Sequence, residues 1–296
     1  MRIVSLLPSA TEILFALGLG DQVVGVTFEC DYPPAARTSR VVSNTAMPEG
    51  LTPAEIDRVV KERMAAGEDL YRLERDALAD LDPDLVVTQD LCEVCAVATS
   101  NVDEALEVLG IDADVLTLDP PRLEDVIDSI AIVAAATGTE STAIDLSASL
   151  HRRLDDLAQR LDGAPRPRVA VLEWTAPPFA SGHWVPDLIA AAGGDEVLGT
   201  PGGRSVEVTW RELATAAPDV VIVAPCGYRL DGATELAESL VGEGMLPDDV
   251  AVWAVDADAF VVRPGPRVVD GAEIFASLLH AGRGLPVDPA RARRIN

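Results

Sequence analysis

The chain is predicted to be an α/β protein of two Rossmann-like lobes, each with a mostly parallel sheet, joined by one long rigid helix. Three observations predict it. Short apolar runs alternate with amphipathic stretches, the pattern of parallel strands covered by helices. One long helical stretch, Glu140 to Leu161, interrupts that alternation with no strand of its own. The features that precede it then recur, in order, after it. The expected boundaries are 1–138 for the first lobe, 139–163 for the connecting helix and 164–296 for the second lobe.

In the first lobe, strands are expected at Ile3 to Leu7, Val23 to Val26, Leu85 to Thr88 and Val115 to Leu118. Period-3.6 apolar spacing puts helices at Ala10 to Leu17, Pro53 to Ala65, Leu70 to Leu81, Val102 to Leu109 and Leu123 to Thr137. The connecting helix carries Ile144, Leu146, Leu150, Leu154, Leu157 and Leu161 at helical spacing, and Gly163-Ala164-Pro165-Arg166-Pro167 stops it. Alternation restarts with strands at Val169 to Glu173, Val220 to Ala224, Ala251 to Val255 and the pattern Ala259 to Val262. Helices are expected at Val185 to Ala192, Trp210 to Ala216, Thr234 to Val241 and Val268 to His280. The halves echo each other: Phe15 to Gly25 parallels Ile189 to Gly199, and Pro83-Asp84-Leu85-Val86-Val87 parallels Pro218-Asp219-Val220-Val221-Ile222.

Composition narrows the function classes. With 296 residues, 48% hydrophobic and 24% charged, the chain has enough material for two cored domains. The 49 acidic against 23 basic side chains give a net charge of -26, with Lys61 the only lysine, which argues against nucleic acid or an anionic membrane as partner. Such a surface also fits adaptation to high salt, where self-repulsion is screened, though acidic proteins of ordinary habitats share it. No apolar run of about 18 residues occurs, so the chain is not expected to be membrane-embedded. Met1-Arg2 leads directly into a core strand without a leader signature; as written the expected location is cytoplasmic, and extracytoplasmic if a leader has been removed.

The stretch Thr88 to Cys95 draws attention because Cys92 and Cys95 stand at C-x-x-C spacing just past a strand end. Cys30 and Cys226 also follow strand ends, the side on which open α/β sheets gather ligands. If the four thiols converge they suit Zn, an iron-sulfur cluster or the metal of a bound ligand. The alternatives are buried packing cysteines and C-x-x-C redox exchange, the latter lacking a thioredoxin-like context. His183, in Ser181-Gly182-His183-Trp184, could ligate a metal or cap a helix. Trp174 and Trp184 offer apolar platforms or core packing. Arg263 opens a Pro-Gly turn and could reach a carboxylate, amide or phosphate. No nucleophile triad, P-loop or G-x-G-x-x-G fingerprint is present, so no catalytic residue is assigned and the chain is not expected to be an enzyme.

Ser5-Leu6-Leu7-Pro8-Ser9-Ala10-Thr11-Glu12-Ile13-Leu14, Ala16 to Gly25, Asp31-Tyr32-Pro33-Pro34, Pro83 to Val87, Pro178 to Gly182 and Ala192-Gly193-Gly194 together resemble the helical-backbone (class III) substrate-binding proteins of ABC importers. The cobalamin (vitamin B12) binders look most similar, with siderophore and heme binders more distant. The resemblance implies two lobes on one long helix and a ligand held in the cleft between them. It implies a small-molecule ligand, cobalamin or another corrinoid, and an ABC transporter permease as partner. Where those binders place an aromatic and small residues just before Asp-Tyr-Pro-Pro, this chain has Phe28-Glu29-Cys30, and with no leader signature ahead of the first strand it looks like a leaderless, cysteine-bearing branch. The expected ligand contacts are Phe28, Glu29, Trp174, His183, Trp184 and Arg263, with Cys30, Cys92, Cys95 and Cys226 toward a metal centre. The competing expectation is a cytosolic enzyme or electron carrier holding an iron-sulfur or zinc centre on those cysteines.

Overall fold

The structure is a computed structural model and describes residues 1–90, 99–247 and 249–296. It divides into two compact units, Met1–Pro120 with Ile127–Ser147, and Pro121–Val126 with Ala148–Asn296.

The first unit runs β1 (Ile3–Ser5), α1 (Pro8–Ala16), β2 (Val23–Thr27), β3 (Arg40–Thr45), α2 (Pro53–Ala66), β4 (Tyr71–Leu73), α3 (Arg75–Leu81), β5 (Leu85–Thr88), α4 (Thr99–Leu109) and β6 (Asp114–Thr117), followed by α5 (Leu123–Thr137). Its sheet has the order β4-β3-β2-β1-β5-β6, parallel throughout except for the β3–β4 pair. Chain order reverses between β1 and β5, and ligands of open α/β sheets sit outside the carboxyl ends at such a junction. One face of the sheet is sealed by Val4, Leu6 and Val86 packed on Leu78, Val102 and Leu106, all buried. Each such aliphatic side chain contributes about 1.5–3 kcal/mol on leaving water. Helix α2 starts in a capping box, Thr52 with Glu55, and ends at Gly67 in the left-handed region (φ 69°).

The long helix α6 (Glu140–Arg160) begins in the first unit and ends in the second. Leu150 and Leu157 are buried along it while Ile144 is 69% exposed, so the buried stripe is narrower than the apolar pattern. Its Arg153 donates to Asp270 and to both carboxylate oxygens of Glu273 at 2.7 to 2.9 Å, tying the helix to the helical stretch Val268–Leu279.

The second unit continues with β7 (Arg168–Thr175), β8 (Pro178–Ala180), α7 (Val185–Ala191), β9 (Asp195–Glu196), β10 (Val206–Glu207), α8 (Trp210–Ala216), β11 (Val220–Val223), α9 (Leu230–Gly242), β12 (Ala251–Val255), α10 (Ala257–Phe260), α11 (Val268–Leu279) and β13 (Ala292–Arg294). The sheet order is β10-β8-β7-β11-β12-β13 with β9 beside β7. Strands β7, β11 and β12 are parallel; β8, β10 and β13 run against their neighbours. The core on one face gathers Ala170, Leu172, Val221, Val223, Val252 and Ala254 under Leu213, Ala233 and Leu240. Among the described residues no helix is long and apolar enough to cross a membrane.

The structure departs from the sequence expectation in several elements. Leu70 to Leu81 is not one helix: Tyr71–Leu73 pairs antiparallel with β3 before α3 begins. Ala259 to Val262 is not a strand: β12 has already ended at Val255, and Asp256 caps the short α10 by accepting from Ala259 N at 3.1 Å. β3, β8, β9, β10 and β13 were not expected either, because none of them carries a continuous apolar run long enough to show a strand pattern.

Candidate ligand-binding site

In the second unit, the carboxyl ends of β7, β11 and β12 form a connected rim. The Trp174 and Tyr228 rings meet edge to face with centroids 5.8 Å apart. Cys226 N donates to the Glu173 carbonyl at 3.0 Å, and Asp258 N donates to the Tyr228 carbonyl at 3.1 Å, so the three strand ends are tied together. Arg263 donates to both carboxylate oxygens of Asp258 at 2.9 Å, and Arg229 lies 3.3 Å from the same carboxylate. The guanidinium of Arg267 stands 5.7 Å from the Phe260 ring centroid. Burial pushes the Tyr228 hydroxyl up from its ordinary pKa and also raises that of Asp256, whose charged form the Ala259 amide partly restores. An exposed thiol, an aromatic pair and three arginines thus share one edge.

In the first unit, the loop leaving β2 presents Phe28, 41% exposed, whose ring lies 6.2 Å from that of Tyr71. Tyr71 donates its hydroxyl to Glu29 at 3.1 Å. Cys30 turns inward: it is 4% exposed, and its sulfur is 3.0 Å from Thr11 Oγ1, which donates to Ser5 Oγ at 2.8 Å. Buried polar side chains are dense here, with Ser5, Ser9, Thr11, Thr27, Thr88 and Gln89 all at 6% exposure or less.

The expected contacts are therefore distributed unevenly. Trp174, Arg263 and Cys226 are brought together on the rim of the second unit; Phe28, Glu29 and Cys30 follow one strand end of the first. His183 and Trp184 are carried off the second rim, because β8 turns back along β7 so that Ala180 pairs with Leu172. Trp184 is a buried packing residue whose indole donates to the Val261 carbonyl at 2.8 Å. His183 has φ 50° and is pinned by backbone bonds to Gly203 and from Gly202. Its Nε2 is buried with no partner among the described residues, and burial, then Arg204, lowers its pKa. A side chain at Gly182 would collide with the backbone of 203–205, so only glycine fits that crossing. Cys92 and Cys95 lie outside the described residues. Among the described residues no group of three or more His, Cys, Asp or Glu is placed to hold a metal ion.

Tyr228, Arg229, Asp258, Tyr71 and Gln89 belong to these rims and were not singled out from the sequence. Their signal was available in one form: each stands in, or one residue beyond, a loop leaving a strand or an edge pair of the sheet.

Comparison with known proteins places this geometry. Residues 3–245 match the family model described as periplasmic binding protein. The vitamin B12-binding protein of Vibrio cholerae is 23% identical over 280 residues, covering 94% of this chain and 88% of its own. The uncharacterized ABC transporter substrate-binding lipoprotein YvrC of Bacillus subtilis is 26% identical over 291 residues, covering 94% of this chain and 80% of its own. A periplasmic heme-binding protein from Pseudomonas aeruginosa superposes with a TM-score of 0.71 at 20% identity, over 99% of this chain and 97% of its own. With the family model spanning most of the sequence and the two α/β units built as described, the chain belongs to the periplasmic binding protein family.

Proposed function

We propose that this protein binds a corrinoid of the cobalamin class and hands it to the permease of an ABC importer. One observation carries the reading: each unit ends its strands in an aromatic pair, Trp174 with Tyr228 and Phe28 with Tyr71, in a chain only 4% aromatic. Broad apolar rings suit the body of a flat macrocycle, and flanking polar groups fix its orientation. Arg263 and Glu29 would meet the polar periphery. Cys226, exposed on the same edge as Trp174, offers a soft thiolate toward a metal centre. The full-length similarity to a vitamin B12-binding protein supports the same ligand class.

A second reading has its own observation. Arg229 and Arg263 converge on Asp258, with Arg267 nearby, and guanidinium groups favour carboxylates, which points to a carboxylate-bearing tetrapyrrole such as heme. Isothermal titration of the purified chain with cyanocobalamin and, separately, with hemin tests both. Saturable one-to-one binding of cyanocobalamin at micromolar or lower concentration supports the first reading. Binding of hemin alone supports the second, and binding of neither overturns both.

A further inference from the structure

The second unit holds a cavity that shares no residue with the rim of strand ends described above. Its volume is about 390 Å³, a size at which small-molecule clefts are common. The walls come from the last turns of α6, from the side of α11 that carries Ile274, and from the segment between Leu285 and Arg291. Leu157, Ile274, Leu285 and Pro286 make part of the lining apolar. The returning segment is held at both ends. Arg283 donates to the Asp162 carbonyl at 3.2 Å just past α6, and the Arg291 carbonyl accepts from Asp256 N at 3.0 Å.

Three guanidinium groups and three carboxylates line this cavity, and four of the six are answered within the protein. Arg153 is bound by Glu273 and by Asp270. Arg291 lies 3.2 Å from Asp288 and sets its guanidinium 4.9 Å from the Phe260 ring centroid. Ser277, 6% exposed, donates its proton to the Ile274 carbonyl at 2.7 Å. Asp156 and Arg160 remain, and neither side chain makes an ion pair or hydrogen bond among the described residues. They stand one turn apart on α6 with the acid first, the order in which a pair at this spacing ordinarily closes. Nor is Arg160 occupied in capping its own helix end: Arg283 already reaches the carbonyls of Asp162 at 3.2 Å and of Arg160 and Gly163 at 3.5 Å.

One unanswered charge of each sign, over a lining that is otherwise balanced, selects a ligand that carries both. A plain anion meets the repulsion of Asp156 and of a protein with net charge -26, and a plain cation meets that of Arg160. The carboxylate only accepts hydrogen bonds and the guanidinium only donates them, so their complement is a primary ammonium close to a carboxylate. The apolar part of the lining suits an aliphatic body on the same molecule. We infer that this cavity binds a free α-amino acid with an aliphatic side chain, its ammonium at Asp156 and its carboxylate at Arg160.

The test is a ligand-detected NMR titration of the full chain with L-leucine, and with 3-methylbutylamine and 4-methylpentanoate, which lack its carboxylate and its ammonium respectively. Leucine is expected to saturate with a Kd on the order of 100 μM, and each analogue to bind about tenfold or more weakly. Asp156→Asn and Arg160→Gln are each expected to weaken leucine about tenfold. Both positions are exposed, so the substitutions disturb no packing, and the comparison of the three compounds needs no variant at all. No saturation by leucine below about 10 mM overturns the inference. So does an analogue that binds as tightly as leucine, which would leave a site for a single charge, and so does an affinity for leucine unchanged in both variants. The outcome is independent of the corrinoid reading, because the cavity and the rim have no residue in common.

Discussion

Arg168 and Asp219 hold each other through a closed pair of hydrogen bonds, Asp219 N to the Arg168 carbonyl at 2.8 Å and Arg168 N to Asp219 Oδ2 at 2.8 Å. Arg2 and Asp84 make the same pair in the first unit, at 2.8 and 2.6 Å. In both, the arginine side chain reaches the carbonyls that end the preceding helix, Leu81 for Arg2, and Ala216 and Ala217 for Arg168. The Pro-Asp motif that precedes β5 and β11 therefore serves one purpose twice: it locks the first strand of each sheet to its parallel neighbour. Asp219→Ala and Asp84→Ala are each expected to cost about 1 kcal/mol, the usual net worth of such bonds at an exposed site. Because they lie in separate units, the double variant should show the sum, measured by urea unfolding.

This doubling explains how much of the fold was legible. The motifs around Pro83 and Pro218, and the glycines Gly18 and Gly193 that end α1 and α7 at φ 82° and 74°, are local demands of backbone geometry, and such demands are written in residue type. The apolar runs of β5 and β11 are buried on both faces and equally plain. Strand β4 was hidden because Tyr71-Arg72-Leu73 is too short to show a period, and its strand state comes from pairing with β3. The site was less legible than the fold. Trp174 and Arg263 were readable as loop residues after strands, but the return of β8 along β7, which moves His183 and Trp184 off that edge, is a tertiary fact.

Glu196 is a half-buried carboxylate held by four donors. Its Oε1 accepts from the amides of Val197, Leu198 and Gly199 at 2.9 to 3.0 Å, and Oε2 accepts from Ser181 Oγ at 2.9 Å. Burial raises its pKa, and the amides and Ser181 oppose the shift. The group folds 196–199 into a turn and ties it to the end of β8. Glu196→Ala leaves three amides and a hydroxyl unanswered, and a loss of about 3 kcal/mol is expected in chemical denaturation. Glu196→Gln keeps the shape and one acceptor oxygen, so its loss should be smaller.

The edge-to-face contact of Trp174 with Tyr228 predicts a graded binding response. Trp174→Ala removes both an aromatic surface and the support of Tyr228, and is expected to weaken ligand binding about tenfold or more. Trp174→Phe keeps part of the platform and should lie between. Tyr228→Phe retains the ring contact and is expected to match wild type unless the hydroxyl meets the ligand. Calorimetric titration of the three variants checks the order, and a wild-type affinity for Trp174→Ala would remove this rim from the site.

His183 predicts a pH dependence of stability. Burial, reinforced by the positive charge of Arg204, depresses its pKa below the ordinary value of about 6.5, so the folded state favours the neutral ring. The sign follows from linkage. Above the ordinary pKa both states are neutral and the full contribution is present; as pH falls from about 6.5 toward the depressed value, the unfolded chain takes up the proton first and stability is lost. Nε2 is buried without a partner, so a proton there finds no acceptor among the described residues. His183→Asn removes the titration and tolerates the positive φ at this position. Denaturation midpoints measured between about pH 7.5 and 5.5 should fall more steeply for wild type than for His183→Asn. Equal slopes would assign the acid sensitivity in this range to other groups.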